Sequence, residues 1–103
     1  MYEPFRQRIV KSFIDILILV ELEKNSLSGY SLIGLINNKF MIFVSPGTIY
    51  NSLHSLEVKN LVKGSWKDKK RVYTISSKGK EFLEVIRSHK KEILKLLDEI
   101  FGS

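Results

Sequence analysis

The chain has 103 residues, of which 44% are hydrophobic, and this composition excludes a disordered protein and favours a single folded domain. It contains no cysteine, which excludes disulfides and cysteine-based metal sites and fits a reducing cytoplasm, where we expect the protein to work. A net charge of +6 is compatible with a polyanionic partner but does not require one.

The first predicted element is a helix from about Arg8 to Lys24 that is apolar on nearly every side. Such a helix is buried on more than one face, so we expect other helices or a second subunit to cover it. Its apolar run, from Phe13 to Leu22, is interrupted by Asp15 and is about half of the roughly 20 residues that a membrane-spanning helix needs. We therefore predict a core helix and no membrane partner.

Two shorter helices are predicted next, each with a serine at its start. Ser28 can cap a second helix that runs from Gly29 to about Phe40. Its inward candidates are Tyr30, Leu32, Ile33, Ile36 and Phe40. Ser45-Pro46 begins a third helix, about 46–58, because serine caps free backbone N–H groups and proline suits the first helical position. The residues of this helix that face inward are Ile49, Leu53 and Leu56.

A β-hairpin follows the third helix. Residues 61–66 and 71–76 alternate apolar and polar side chains, and we predict a four-residue turn, 67–70, between them. Asn60 is expected to close the third helix in the left-handed conformation, which asparagine tolerates. We expect Trp66 and Tyr73 to pack the hairpin against the body of the protein.

The last predicted element is one long helix that starts at Ser76 or Ser77 and ends near Phe101. Its apolar residues recur at spacings of four and three, which is typical of a coiled-coil-like partner surface. This predicted dimerisation stripe consists of Phe82, Ile86, His89, Ile93, Leu97 and Ile100.

The order of these elements predicts an α+β, mostly helical fold: a winged helix-turn-helix with three helices, a two-stranded β-hairpin wing and a long C-terminal dimerisation helix. We assign residues 1–76 to a winged-helix DNA-binding domain and residues 77–103 to the dimerisation helix, within one compact unit.

Positive charge is concentrated around the hairpin. Between residues 59 and 80, eight cations and one anion give a net charge of +7, so the rest of the chain sums to −1. Such a patch is the expected footprint of phosphate binding, although a solvated hairpin rich in lysine would have the same composition. The predicted cationic tip consists of Lys67, Lys69, Lys70 and Arg71.

The outward face of the third helix carries short hydrogen-bonding side chains. They are Thr48, Asn51, Ser52 and Ser55. Groups of this size can approach base edges or phosphates closely, and Asn51 can make a bidentate contact with adenine. The helix start at Ser45 and Gly47 attracts phosphate because free N–H groups and the helix dipole point outward there. An ordinary polar helix surface explains the same residues, so both interpretations stay open.

Several stretches of the chain resemble the PadR-like transcriptional regulators, in order and spacing, from about residue 14 to 86. The most specific is Ser45-Pro46-Gly47-Thr48-Ile49-Tyr50. The others are Ser28-Gly29-Tyr30-Ser31-Leu32, Leu53, Leu56-Glu57, Leu61-Val62, Trp66, Arg71-Val72-Tyr73-Thr74-Ile75-Ser76, Lys78-Gly79-Lys80 and Phe82-Leu83.

The resemblance implies a winged-helix homodimer, usually a repressor, that binds a palindromic operator and dimerises through its final helix. By matching position, Thr48, Asn51, Ser52 and the 67–71 tip would meet DNA; Tyr50 matches a recurrent tyrosine that either packs or contacts phosphate. Asn60 stands where the family usually has glycine, the wing turn is short, and the single C-terminal helix is typical of small members. Some relatives bind hydrophobic effectors in a tryptophan-lined pocket, which the position of Trp66 in the wing does not support, so any small hydrophobic effector is unidentified.

Two other classes of function fit the sequence less well. A winged-helix module that binds proteins instead of DNA would show an exposed apolar patch on the third helix. An enzyme is the weakest interpretation, because the sequence has no convergent acid, base or nucleophile set, no metal cluster and no glycine-rich phosphate loop. His54 and His89 are interpreted as surface or structural residues, and no cofactor is expected.

Overall fold

The structure is a computed structural model that describes residues 4–102. Six helices and three strands follow one another along these residues. They are α1 (Pro4–Ser12), α2 (Ile14–Lys24), β1 (Leu27–Ser28), α3 (Gly29–Phe40), α4 (Pro46–Val58), β2 (Val62–Lys67), β3 (Lys70–Ile75), α5 (Ser77–Ser88) and α6 (Lys90–Phe101). The arrangement of α2, α3 and α4 before the β2–β3 hairpin confirms the predicted winged helix-turn-helix.

The predicted first helix is in fact two helices that break at Phe13, so its prediction as one continuous element was wrong. α2 crosses the core and buries Ile14, Ile18 and further apolar residues, whereas α1 buries none. Phe13 and Ile9 are 38% and 46% exposed. A single straight helix with apolar side chains on every side would need to be covered along its whole length. The core covers only the part after the break.

One buried cluster holds the fold together, with α2 against α4, α5 and the sheet. Its members are Ile14, Ile18, Leu19, Leu22, Leu32, Ile36, Ile42, Val44, Ile49, Leu53, Leu56, Leu61, Val62, Tyr73, Ile75 and Leu83. The only buried charged side chain among the described residues is Glu21, which the ammonium groups of Lys39 and Lys24 approach to 3.1 and 3.6 Å. The pairing satisfies a carboxylate that burial would otherwise penalise.

Both predicted serine caps are confirmed. Ser28 Oγ accepts a hydrogen bond from the backbone N–H of Ser31 at 3.1 Å, and Ser45 Oγ accepts one from that of Thr48 at 3.2 Å.

The prediction that Tyr30 faces inward was wrong, because this side chain is 82% exposed. Leu32 and Ile36 set the buried side of α3, and a residue two positions before Leu32 lies on the opposite side of a helix.

The sheet has three antiparallel strands in the order β1-β3-β2, and its first strand was not predicted. β1 is only two residues long, so no alternation marks it, and it pairs Leu27 with Tyr73 and Ser28 with Val72. The hairpin turn has two residues, not the four predicted, since Lys67 and Lys70 still pair. Asn60 is left-handed, with φ of 63°, as predicted.

The predicted long C-terminal helix is divided at His89, so its continuity was also wrong. In a continuous helix the His89 N–H would donate to the Val85 carbonyl. That carbonyl instead accepts a hydrogen bond from Ser88 Oγ at 2.8 Å and lies 2.7 Å from His89 Nδ1. The His89 N–H turns to Ile86 O at 3.1 Å, and the helix axis breaks there.

A bidentate ion pair joins α5 to α2. Arg87 Nη1 and Nη2 donate to the two carboxylate oxygens of Glu23 at 2.9 and 2.8 Å. The Arg87 hydrogen bond lowers the pKa of the Glu23 carboxyl below its usual value. Leu83 is fully buried beside this pair, so α5 packs on the body of the domain.

Two glycines should respond in opposite ways to alanine. At Gly79, in the first turn of α5, a Cβ would lie 2.1 Å from the Leu61 carbonyl oxygen, whereas a Cβ at Gly34, in α3, would meet no atom of residues 4–102 within 4 Å apart from its chain neighbours and the helix's own backbone. We expect Gly79→Ala to lower the free energy of unfolding by about 2 kcal/mol or more through overpacking. Gly34→Ala should raise it by about 0.5–1 kcal/mol through helix propensity. Urea unfolding measures both, and equal effects of the two variants would contradict the packing of α5.

Candidate nucleic-acid interface

The start of α4 is an open, capped helix end. Ser45 Oγ accepts from the Thr48 N–H and lies 3.0 Å from Thr48 Oγ1, so the two hydroxyls are bonded to each other. Gly47 is exposed, and apart from its chain neighbours and the backbone of α4, the only atom of residues 4–102 within 4 Å of a Cβ at this position would be Ser45 Oγ. Pro46 has no N–H and the Thr48 N–H is bonded to Ser45, so the Gly47 N–H is the backbone donor that an anion can approach at this end.

The polar residues predicted to read bases lie on the outward side of α4. Asn51 and Ser55 are exposed, while Thr48 and Ser52 are half-buried at the edge of the same face. The predicted inward residues Ile49, Leu53 and Leu56 are all buried, which confirms the orientation of the helix. His54 is exposed beside Asn51. Asn51 and Ser55 are thus the side chains best placed to meet a ligand.

Tyr50 packs against the beginning of α3. A Cβ on Gly29 would lie 2.4 Å from Tyr50 Cε1 and 3.0 Å from its hydroxyl, so the ring occupies the space that a side chain at Gly29 would need. Tyr50 is nevertheless 45% exposed. Its ring therefore joins α4 to α3 while part of it stays at the surface.

A cleft of about 240 Å³ connects this region with the wing. Its lining residues are Ser28, Gly29, Tyr30, Ser31, Tyr50, Lys70 and Arg71. The structure thus places Tyr50 of α4 and Lys70 of β3 on one surface, together with the first turn of α3. The contribution of Tyr30 and Ser31 was not predicted, because it depends on β1, whose pairing with β3 places α3 beside the wing.

The wing tip is a cluster of exposed lysines. Lys67 and Lys70 pair directly across the strands, and Lys69 lies in the turn with a positive φ of 65°. Asp68 shares the turn, with φ of 50°, as a two-residue type I′ turn requires. Like charges at facing positions and a lysine in the left-handed conformation both disfavour the free hairpin. Folding alone therefore does not account for lysine at these positions.

Arg71 differs from the three lysines with which it was predicted. It is half-buried, and its Nη2 donates to Glu57 Oε2 at 2.8 Å.

Tyr73 is buried, which confirms its predicted framework role, but the prediction that Trp66 packs on the body was wrong, since it is 72% exposed. Trp66 lies opposite Arg71 in the part of the wing that extends beyond the core.

The predicted dimerisation stripe spans the break at His89. Phe82 and Ile86 are half-buried on α5, His89 is exposed, and Ile93 and Leu97 are half-buried on α6. Ile100 is 65% exposed, and Leu94, Leu96 and Phe101 are more than half exposed too. α6 has no fully buried residue. Its apolar side chains are therefore accessible to a partner.

Residues 4–102 contain no group of three or more histidine, cysteine, aspartate or glutamate side chains that could hold a metal ion. Within the same range, no helix is long and apolar enough to cross a membrane.

Comparison of the sequence with protein families matches residues 18–85 to the transcriptional regulator PadR-like family. No curated protein matches the sequence.

Solved structures with the same fold include regulators from several bacteria. A PadR family transcription regulator from hypervirulent Clostridium difficile is 30% identical, with a TM-score of 0.75 over 87% of this chain and 99% of its own. A PadR-like transcriptional regulator from Bacillus cereus is 25% identical, with a TM-score of 0.76 over 93% and 98% of the two chains. A PadR family regulator from Eggerthella lenta is 16% identical and shares the fold, with a TM-score of 0.78 over 93% and 88%.

Proposed function

The chain belongs to the PadR-like family of transcriptional regulators, and on this basis we propose that it binds DNA in a sequence-specific manner, as a homodimeric repressor at a palindromic operator. The observation that carries the proposal is the 240 Å³ cleft, because Tyr50 of α4 lines it together with Lys70 and Arg71 of the wing. A helix and a basic hairpin on one side of a domain are complementary to a major groove and its flanking phosphates.

In this proposal α4 enters the major groove. Asn51 reads a base, since its amide can both donate to and accept from an adenine edge, and Ser55, Ser52 and Thr48 add shorter polar contacts. The capped start of the helix, at Ser45 and Gly47, takes a backbone phosphate through the Gly47 N–H and the helix dipole. The Tyr50 hydroxyl, at the rim of the cleft, is placed to donate to the same strand.

The wing supplies the charge that holds the duplex. Lys67, Lys69 and Lys70 are exposed, and their mutual repulsion in the free protein is relieved when phosphates lie between them. Phosphate contacts of this kind position a protein on DNA without specifying sequence. The binding free energy should therefore come largely from the wing, and the specificity from α4.

Dimerisation places two copies of α4 on one face of the duplex. The exposed apolar residues of α6 support this, because a small domain rarely leaves so many large apolar side chains in water on one helix. Two-fold symmetry would set the α4 helices roughly 34 Å apart, about one turn of DNA. Such a dimer matches an operator with two inverted half-sites.

A gel shift with the DNA upstream of the protein's own gene tests the proposal. We expect a discrete complex for which unrelated DNA is a poor competitor. The complex should weaken as salt rises, and the plot of log K against log salt concentration should gain about −0.9 in slope for each neutralised phosphate. Binding that ignores both sequence and salt would contradict it. In that case a protein partner for the domain becomes the better hypothesis.

Asn51→Ala should mainly reduce specificity. Losing a bidentate base contact costs about 1–3 kcal/mol on the preferred site and almost nothing on unrelated DNA, so the ratio of the two Kd values should fall at least about fivefold. The matched control is Asn38→Ala, another exposed asparagine, on α3. Fluorescence anisotropy with both DNAs measures the ratio. An equal loss on both DNAs would show that Asn51 contacts the backbone instead.

A further inference from the structure

The guanidinium of Arg71 occupies a site of its own at the base of the wing. Its Nη2 donates to Glu57 Oε2 at 2.8 Å, and the same oxygen accepts from the Gly64 backbone N–H at 3.2 Å. Glu57 belongs to α4, Gly64 to β2 and Arg71 to β3, so one carboxylate joins the helix to both strands of the wing. The two charged side chains are 32% and 36% exposed, which places the pair at the edge of the core.

The site fits a planar group closely. A Cβ on Gly64 would lie 2.8 Å from Arg71 Nη2 and 2.9 Å from Cζ, so the guanidinium lies directly over the glycine. Arg71 Cζ is also 5.8 Å from the centre of the Trp66 ring and 5.9 Å from that of Tyr73. Arginine combines a flat face, which suits glycine and aromatic rings, with a directed hydrogen bond, whereas lysine offers only a point charge.

The pair lies where the wing loses support from the rest of the sheet. β1 pairs with β3 only at Tyr73 and Val72, so the wing beyond that point is a ribbon of two strands. A two-stranded ribbon in water is marginally stable and bends easily. Arg71 is the first residue of β3 beyond the positions that pair with β1, and its contact with Glu57 ties this ribbon to α4.

The charge of Arg71 is already neutralised in the free protein. A cation contributes to salt-dependent DNA binding when it displaces counterions from phosphate, which an internally paired guanidinium does weakly. By contrast, no ion pair among residues 4–102 involves Lys67, Lys69 or Lys70. We propose that Arg71 is a positioning residue that, together with Glu57 and Gly64, sets the angle of the wing relative to α4, instead of a phosphate contact. Its effect on DNA rests on the function proposed above.

The free protein allows a test that needs no DNA. Because the chain lacks cysteine, His54→Cys with Asp68→Cys can carry one spin label on the outward side of α4 and one at the wing tip. In protein diluted with unlabelled chains, we expect pulsed EPR to give a narrow distance distribution. Arg71→Lys and Gly64→Ala should both broaden it, although neither removes a charge, while the control Ser65→Ala, at the exposed neighbouring position, should not. Equal widths of the distance distribution in the doubly labelled protein and in all three of its variants would overturn the proposal.

DNA titrations at several salt concentrations provide the second test. We expect Arg71→Lys and Gly64→Ala to raise Kd about fivefold with an unchanged salt slope, as coupled positioning residues do. A phosphate contact would instead leave Arg71→Lys near wild type and lower the slope of Arg71→Ala by about 0.9, which would overturn the proposal. If the substitutions broaden the distance distribution while the wild type shows no salt-dependent DNA binding, the proposed function fails and the positioning role of Arg71 stands.

Discussion

Replacing Lys67, Lys69 and Lys70 together with alanine should weaken binding to every DNA sequence by at least about a hundredfold at 0.1 M salt. Each lysine that neutralises a phosphate contributes about 0.9 to the salt slope, so the slope should fall by about 2.7 for each protomer bound. The ratio of specific to unrelated Kd should stay nearly constant, because backbone contacts do not distinguish bases. Anisotropy titrations between 50 and 200 mM salt measure both quantities.

The matched control removes the same charge elsewhere. Lys90, Lys91 and Lys95 are exposed on α6, so their replacement by alanine lowers the net charge equally but should leave the salt slope near wild type. Lys69→Gly separates binding from folding: glycine suits the positive φ of 65°, so thermal stability should rise while affinity falls. If the α6 control weakens binding as much as the wing variant, net charge and not the wing drives association.

The second large effect concerns the dimer. Leu96→Ser with Ile100→Ser should convert the protein to a monomer at micromolar concentration, because both side chains are more than half exposed and lie four positions apart on α6. Burying four such side chains across a two-fold interface contributes about 6 kcal/mol, or roughly 10⁴-fold in the dimer Kd. Sedimentation velocity measures the change. Affinity for a two-half-site operator should fall with it, since each protomer would then bind alone.

A charge-neutral pair of substitutions on the same helix is the control. Lys95→Ser with Asp98→Ser introduces the same two serines at exposed polar positions and leaves the net charge unchanged. It should remain dimeric, which rules out loss of helix propensity as the cause. A wild-type protein that sediments as a stable monomer would contradict the dimer directly.

Sequence patterns predicted the fold well where one principle acted alone. The caps at Ser28 and Ser45 follow from local chemistry, and the inward set Ile49, Leu53 and Leu56 follows from helix periodicity. The left-handed conformation of Asn60 likewise follows from a local preference of asparagine. Each of these features depends on residues within one or two turns of each other, so the sequence contains the necessary information.

Features that depend on competition between groups were missed. The break at His89 arises because two side chains bond the Val85 carbonyl that the helix needs, and nothing in the apolar stripe signals this. β1 forms only because β3 is present to pair with it. The ion pair of Arg71 with Glu57 joins residues 14 positions apart, so the arginine was grouped with the free lysines beside it. Long-range pairing decides the second and third features, whereas the break at His89 is a local competition for one carbonyl.

Footprinting of genomic fragments selected by the protein tests the central claim most directly, namely that two copies of α4 read one operator. We predict an enriched sequence with two inverted half-sites whose centres are about 10–10.5 base pairs apart, each protected in the major groove. Asn51→Ala should lose that enrichment while still retaining DNA. Selection that yields no common sequence, or a single half-site with no symmetric copy, would contradict the account.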